Sequence, residues 1–582
     1  MLDTLRVLPV PRVDVKAVRR WFGDVKGFPD IDLLMQIVGK GAPVPVTGQG
    51  DLPSAVAYGN HNSVRRYAPQ ITEKIVEDVS AGRAFVFPRE HAFRIPGLRI
   101  SPLTVSVSPA KVRICHDLTN AASGTSVNED TDSSVFPECK IGHVFRAVLG
   151  RILFLHSKFV VGKADPPRIL LAKADTKSAF RQVSVDIASA PVFGYVFGDL
   201  VVIDRCLQFG WTSSPSVWGV CAAAVEHAHN HTTFRNAEVL PEARAITSHV
   251  EIVPLRVGEV RAKLPPDCVF PPGSGGGLGD PYVVHTFVDD ALFAEVEIRV
   301  LDGRRCLRAT RSFVSDSLRL FGSRNAGEPS LFAREKVTSW DTRAEMLGWS
   351  IDTMSMTIAV PQEKILRLRE MLNQWPGSRK TASVKDVRSL LGKLLHLCEV
   401  VRPGKFFIRR ILNQLGLTPI KADEKDGDSV AGVTQLRHVV RLGREFYADL
   451  EFWRIILEMS TGPDGVTRLE APLFASFLQP PSRTIISDAS GDAMGGYCLE
   501  KEWWWRIDFT EDVRMRLRKR VCQRDDLSMN VLELLGMVVT AWALTVHVGD
   551  LPEYPGQSVL MRGDNMSAVH WVNKCRGARE PR

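Results

Sequence analysis

Ten cysteines are spread singly along the chain, with no Cys-x-x-Cys pair and no Cys/His spacing of the kind that holds zinc. A structural zinc and a disulfide framework are therefore not expected, whereas a reducing compartment is. No run of about 18 uncharged apolar residues occurs, so no membrane span is predicted. The opening residues, MLDTLRVLPVPRVDVKAVRRWFGD, lack the apolar segment and small-residue cleavage site of a secretory signal. An intracellular location, cytoplasmic or nuclear, is the resulting expectation. There is no internal repeat. The glycine-rich stretch GSGGGLGD leads into no helical pattern, so it fits no phosphate-binding fingerprint and reads as an insertion.

What is present describes an ordinary globular chain: 582 residues, 45% hydrophobic and 24% charged. That length exceeds a single core, and three or more domains are expected. A formal net charge of +8 suits a polyanionic partner. The charge is concentrated from Lys364 to Arg410, where twelve Lys/Arg face three acids, Glu370, Asp386 and Glu399. Within it, SVKDVRSLLGKLLHL predicts an amphipathic helix with Ser383 and Asp386 as its capping pair. Val384, Val387, Leu391, Leu394 and Leu395 form the expected apolar stripe, and Lys385, Arg388 and Lys393 the candidate nucleic-acid-binding residues. Such a face serves equally as a solvated surface or as one that tracks phosphates.

Local patterns supply further elements. ITEKIVEDVSAG predicts a helix ended by Gly82, and APVFGYVFGDLVVIDRC a hairpin about Gly198-Asp199. LGWSIDTMSMTIAV predicts a second hairpin about Asp352-Thr353. The polar run from Lys421 to Ser429 is the best linker candidate.

The stretch HTFVDDALFAEV puts Asp289 beside Asp290 inside a run that otherwise suits a buried strand. Like charges so placed repel, and burial raises their pKa unless a cation offsets the cost. An exposed hairpin tip would explain them without function. Upstream, LLAKADTKSAFRQVSVD reads as a buried strand through Leu170, Leu171 and Ala172 that ends at Asp175, followed by a helix-compatible TKSAFRQV. Taken singly, Asp175 suits a helix cap. Taken with Asp289, it completes the minimum for two-metal phosphoryl transfer, in which carboxylates from different strands hold two ions roughly 3.5–4 Å apart.

In order along the chain, DTKSAF, LQFGWTSSPSVWG and FVDD resemble polymerase motifs A, B and C of reverse transcriptases, with a flavour of tyrosine-recombinase (DIRS-like) retrotransposons. The resemblance runs from about Tyr58 to the end of the chain and is carried by the ordered set of motifs. It implies Asp175 and Asp289 as ligands of Mg²⁺ or Mn²⁺, with Asp290 supporting them. It implies Phe180 as an aromatic gate against the ribose 2′-hydroxyl, hence deoxynucleotide substrates. Phe209 and Gly210 match a nucleotide-pocket pair. KVRICHDLTN looks like the segment in which Arg113, and more weakly Lys111, grips the triphosphate, with Asp117 completing an Arg-x-x-x-Asp spacing. Lys336 falls near the lysine that protonates pyrophosphate. LGWSID resembles a primer grip, and the basic 364–410 region a thumb.

Three further acids, Asp488 in IISDASGDAMGG, Glu533 in MNVLELLGMVVTAWAL and Asp564 in VLMRGDNMSAVHWVNK, resemble the ligand set of the ribonuclease H fold. Asp492 reads as a turn residue, and Trp503, Trp504 and Trp505 as strand residues packing both faces. Enzymes of this type add a fourth acid on a last helix. Eighteen residues follow Asp564, ending in KCRGAREPR with no acidic helix visible, so an incomplete module with doubtful nuclease activity is expected.

The fold class expected is α+β and multidomain: a right-hand polymerase, with a ferredoxin-like palm, fingers and a helical thumb, then an α/β ribonuclease H-like domain truncated at its C-terminus. The expected divisions are 1–97 as an extension, 98–345 as fingers and palm with an insertion at 231–281, 346–420 as primer grip and thumb, 421–480 as linker or connection, and 481–582 as the last module. RNA template, DNA primer, RNA–DNA hybrid and dNTPs are the expected partners, along with other domains of a retroelement polyprotein, and no membrane. Two alternatives differ in class. An RNA-dependent RNA polymerase would place a polar residue near Phe180 and lack the last module. A decayed or domesticated nucleic-acid binder would keep the basic region without catalysis, but Asp175, Asp289, Asp290, Phe180 and Arg113 are all in place.

Overall fold

The structure, a computed structural model, describes residues 13–108, 111–121, 124–139, 142–233, 235–262, 281–300, 303–323, 330–415, 439–477, 481–518, 528–547, 558–566, 568, 569 and 572. The linker candidate at 421–429, the glycine-rich stretch at 273–280 and the first twelve residues lie outside these. The chain is a mixed α+β protein with several small sheets, and it divides into two compact units. One holds residues 1–256 and 273–342, the other 257–272 and 343–582.

In the first unit, helix α1 (Ala68–Ser80) precedes strand β1 (Ala84–Pro88), with Gly82 at φ +67° making the turn out of the helix as expected. Strands β2 (Leu103–Ser108) and β3 (Lys111–His116) pair as an antiparallel ribbon. Helix α2 (Val144–Phe159) leads to β4 (Ile169–Asp175). Strands β5 (Gly194–Phe197) and β6 (Leu200–Asp204) form the expected hairpin, and β1 joins it at the β6 side. Helix α3 (Ser214–Asn230), strands β7 (Val284–Phe287) and β8 (Asp290–Val296), and helix α4 (Arg305–Phe321) follow.

The sheet that matters has the order β4-β8-β7 and is antiparallel throughout. Every residue of β8 after Asp290 is buried, as are Ile169 to Ala172 of β4, so the centre of the sheet is covered on both faces. Leu170, Ala172, Ala174, Ala291 and Phe293 share one core with Trp218, Cys221 and Val225 of α3 and Phe313 and Val314 of α4, while α2 also packs against this sheet. Phe22, Leu34 and Ile37 enter the same core, so the N-terminal segment is part of this unit rather than an appendage.

In the second unit, β9 (Arg343–Met346), β10 (Trp349–Asp352) and β11 (Thr357–Ala359) form a meander, and Asp352 closes the expected hairpin by accepting from the Met354 and Ser355 amides. Helices α5 (Gln362–Asn373), α6 (Val384–Leu397) and α7 (Arg444–Met459) follow, and β12 (Glu470–Pro472) returns to pair with β11. The segment read as linker or connection thus carries α7 and β12. The last sheet has the order β15-β14-β13-β16, from β13 (Pro481–Ala489), β14 (Ala493–Cys498), β15 (Trp503–Asp508) and β16 (Ser558–Arg562). Helix α8 (Met529–Trp542) lies in the chain between β15 and β16 and packs on β13 and β14. Its passage lets β16 run parallel to β13, a pairing no tight turn can make.

Three local expectations are corrected. TKSAFRQV forms only a 3₁₀ turn, Ala179–Gln182. Ser178 sits at φ +51°, in the left-handed region, so a right-handed helix cannot run through it from Thr176. On α6 the buried stripe is Val387, Leu390, Leu391, Leu394 and Leu397, whereas Leu395 is exposed and Val384 only half-buried. Trp504 points into solvent at 74% exposure rather than packing.

All seven described cysteines are free. Among the described residues no helix is long and apolar enough to cross a membrane.

Candidate active site

The adjacent acids sit where β7 turns into β8, with Val288 and Asp289 between the two strands. Val288 adopts φ +52°, a left-handed conformation that a β-branched residue rarely accepts. Strand register then decides what the acids meet. Asp175 is the direct cross-strand partner of Asp290, and the Thr176 amide donates to the Asp289 carbonyl at 2.9 Å. Three carboxylates, from the ends of two neighbouring strands, gather at one end of the sheet.

Their electrostatics follow from that crowding. Burial, then the neighbouring Asp175 charge, holds the Asp289 carboxyl above its ordinary pKa. Burial, then Asp289 and Asp175, does the same to Asp290. Lys336 supplies a cation, its Nζ donating to Asp175 Oδ2 at 2.6 Å. Burial works against the ammonium charge, but the Asp175 hydrogen bond and the three carboxylates raise its pKa above the usual lysine value. Lys173 of β4 adds a second positive charge that acts on Asp290, and two lysines do not neutralise three acids. Asp175 Oδ1, moreover, is buried without a hydrogen-bond partner. An orphaned carboxylate oxygen among hard oxygen donors fits a divalent cation such as Mg²⁺.

The other residues singled out from the sequence surround motifs A and B. Phe180 is buried in the 179–182 turn, its ring 5.0 Å from that of Phe209, which is half exposed. The turn is braced by Arg181, whose guanidinium donates to both oxygens of Asp204 at 2.6 Å and pairs with Asp78 at 2.9 Å. Gly210 sits at φ +112°, and a Cβ there would lie 2.2 Å from the His116 carbonyl oxygen, so no other residue fits. Asn128 fastens this glycine: its Nδ2 donates to the Gly210 carbonyl at 2.7 Å, and its Oδ1 accepts from the Thr212 amide at 3.0 Å. Sequence reasoning missed Asn128, which lies 82 residues away from the turn it holds.

Arg113 is exposed on β3, cross-strand from Ser106. Lys111 begins that strand, with its side chain outside the described set. Asp117 pairs with His61 at 2.8 Å. Lys385, Arg388 and Lys393 are all exposed on α6, whose N-cap Ser383 accepts from the Asp386 amide at 3.0 Å.

A second acidic cluster forms in the other unit. Parallel pairing of Ile486 with Arg562 brings the ends of β13 and β16 side by side, and with them Asp488 and Asp564. Helix α8 lays Glu533 against both. Gly496 permits its close approach, because a Cβ there would meet Thr540 Oγ1 at 2.1 Å. Ligand oxygens of Asp488, Glu533 and Asp564 all lie within 4.8 Å of one another. Among the described residues this is the one three-residue group that meets such spacing; the Asp175 cluster, with Lys336 on one acid, is looser. Burial, then the Asp488 and Asp564 charges acting against a hydrogen bond from Ala489, holds the Glu533 carboxyl above its ordinary pKa. Its Oε2 is buried without a partner. This donor set also fits a hard divalent cation. Asp492 stands apart at the β13–β14 turn, exposed.

No protein-family model matches the chain, and no curated protein matches it. Among solved structures, foamy viral protease-reverse transcriptase is similar in three forms. Its complex with double-stranded DNA gives a TM-score of 0.40 at 12% identity, over 99% of this chain and 97% of that one. Its complex with an RNA/DNA hybrid gives 0.40 at 12%, over 97% and 61%. The dRH form in complex with double-stranded DNA gives 0.41 at 12%, over 96% and 76%.

Proposed function

We propose that the chain is an RNA-directed DNA polymerase, extending a primer with dNTPs, and that its last module acts on the RNA of RNA–DNA hybrids. The observation that carries the reading is the β4/β8 register, which sets Asp175 opposite Asp290 with Asp289 in the adjoining turn. Like charges gathered at the end of a sheet cost stability unless they serve a cation.

In this reading Asp175 and Asp289 hold the ions and Asp290 supports them. Bound Mg²⁺ or Mn²⁺ would activate the 3′-hydroxyl and offset charge on the leaving pyrophosphate. Lys336 keeps its proton securely against the acids and gives it to the departing pyrophosphate. Arg113 clasps the triphosphate, a task suited to its planar fork of donors. Gly210 leaves room for the incoming nucleotide to approach the backbone. Phe180, wedged against Phe209, excludes a ribose 2′-hydroxyl and so selects deoxynucleotides. The exposed cations of α6 track the phosphates of the duplex. Asp488, Glu533 and Asp564 form a second cation-binding centre, suited to hydrolysis of the RNA strand.

The test is primer extension on an RNA template with Mg²⁺ or Mn²⁺, offering dNTPs and NTPs in parallel, alongside hybrid-binding measurements. Extension with dNTPs alone supports the reading. Binding without extension returns the chain to a non-catalytic nucleic-acid binder, and extension with NTPs to an RNA polymerase.

A further inference from the structure

Helix α3 meets the acidic hairpin along its open side. Because β7 is the edge of the β4-β8-β7 sheet, its outward-facing backbone groups need partners from elsewhere. Side chains of α3 provide them. Asn230 Oδ1 accepts from the Val284 amide at 2.9 Å, and Nδ2 donates to the Val284 carbonyl at 3.2 Å. One turn back, Glu226 Oε2 accepts from the Thr286 amide at 2.9 Å. Two turns further, Trp218 Nε1 donates to the Val288 carbonyl at 2.6 Å. As helix numbers fall from 230 to 218, hairpin numbers rise from 284 to 288. The helix thus runs antiparallel to the edge as a strand of side chains.

The last of these bonds has a separate consequence. The Val288 carbonyl belongs to the peptide group that enters Asp289, and the Asp289 carbonyl to the one that leaves it. Trp218 fixes the first and the Thr176 amide, at 2.9 Å, the second. Asp289 is therefore gripped on both of its peptides. Val288 needs such a restraint because its φ of +52° is not one it adopts unaided. The indole is itself immobile: it is 3% exposed and stacked on Phe321 of α4 at 5.3 Å, 12° from parallel.

We infer that Trp218 is a positioning residue for Asp289, its indole N–H holding the Val288 turn in the conformation that aims the carboxylate toward Asp175. The inference rests on the proposed polymerase reading only for its effect on nucleotide transfer; the clamp itself is a property of the hairpin.

Two variants separate hydrogen bond from bulk. Trp218→Phe keeps a ring against Phe321 but loses the donor. Replacement of Trp218 by benzothienylalanine keeps the indole's shape and loses only the N–H, so it remains informative if the phenylalanine variant folds poorly. Amide hydrogen exchange over 284–296 needs no metal and no activity. Both variants should exchange there about tenfold faster, with exchange elsewhere unchanged. In primer extension both should lower kcat about ten- to a hundredfold, as loss of a residue that orients a metal ligand does, with the KM for dNTP held. Wild-type exchange in the benzothienyl variant overturns the inference, and so does faster exchange with full kcat in an active enzyme. Faster exchange in a protein whose wild type never extends a primer sustains the clamp and overturns the polymerase reading instead.

Discussion

Asp289 and Asp290 carry opposite meanings for stability and for chemistry. Their folded-state pKa values lie above those of the unfolded chain, chiefly because burial disfavours the charge. The unfolded state therefore releases its protons first, and stability falls as pH rises from the ordinary carboxylate range through the raised values. Asp289→Asn removes that penalty. Its Tm in metal-free buffer at pH 7 should exceed the wild-type value, and the difference should vanish near pH 3, where the carboxyls are protonated. The same substitution should reduce primer extension by more than about a hundredfold, since a ligand matters more than the groups that orient it. Phe180→Ala tests the other side of the site: discrimination against NTPs should drop, by about a hundredfold or less, in parallel single-turnover assays. Asp175 stood out in one dimension as an acid ending an apolar strand, and Asp289 as one of two adjacent acids within an otherwise strand-like run. Asn128, Glu226, Asn230 and the hydrogen-bonding role of Trp218 were not, because their partners lie tens of residues away and only tertiary packing joins them.

Secondary structure was legible where periodicity and capping agree. Helix α6 begins after Ser383 as its capping pattern requires, and the hairpins at Gly198 and Asp352 fall where turn chemistry put them. The misassigned Leu395 has a simple geometry. Steps of four residues drift about 40° around a helix of 3.6 residues per turn, so two of them carry a residue from Val387 off the buried face. Alternating threes and fours, through Leu390, Leu394 and Leu397, stay on it. The short turn at 179–182 misled for another reason: its helix-compatible residues follow Ser178, which is held in the left-handed region and breaks the helix they would extend. The basic face of α6 gives a direct expectation. Replacing Lys385, Arg388 and Lys393 together by Gln should flatten the slope of log K against log salt for hybrid binding by roughly 2–3, at about 0.7–0.9 per phosphate contact. An unaltered slope would make this a solvated face.

The two acidic clusters belong to different compact units, each built around its own sheet. If each supports its own chemistry, losses should not cross. Asp289→Asn should stop extension and leave hybrid cleavage at its wild-type level, whatever that is, while Glu533→Gln should leave extension within about twofold, as expected for independent sites. Paired extension and cleavage assays on one substrate would show any coupling. Long-range order was the least legible level. Nothing in the local pattern of residues 470–472 announces that they complete a sheet begun at 343, because edge pairing is chosen by the folded surface. The parallel β13/β16 pair was foreshadowed only by its terminal acids.

The brace on the 179–182 turn reaches beyond its ion pairs. Arg181 ties the residue next to Phe180 to segments around 78 and 204, and losing one member of a buried pair of this kind costs about 3–5 kcal/mol. If Phe180 filters the sugar as proposed, a filter mounted this way is retuned by exchanging the ring rather than by letting its loop drift. A library randomised over 178–182 and sorted for soluble expression should return arginine at 181 and bulky apolar residues at 180, since Phe180 lies in the core.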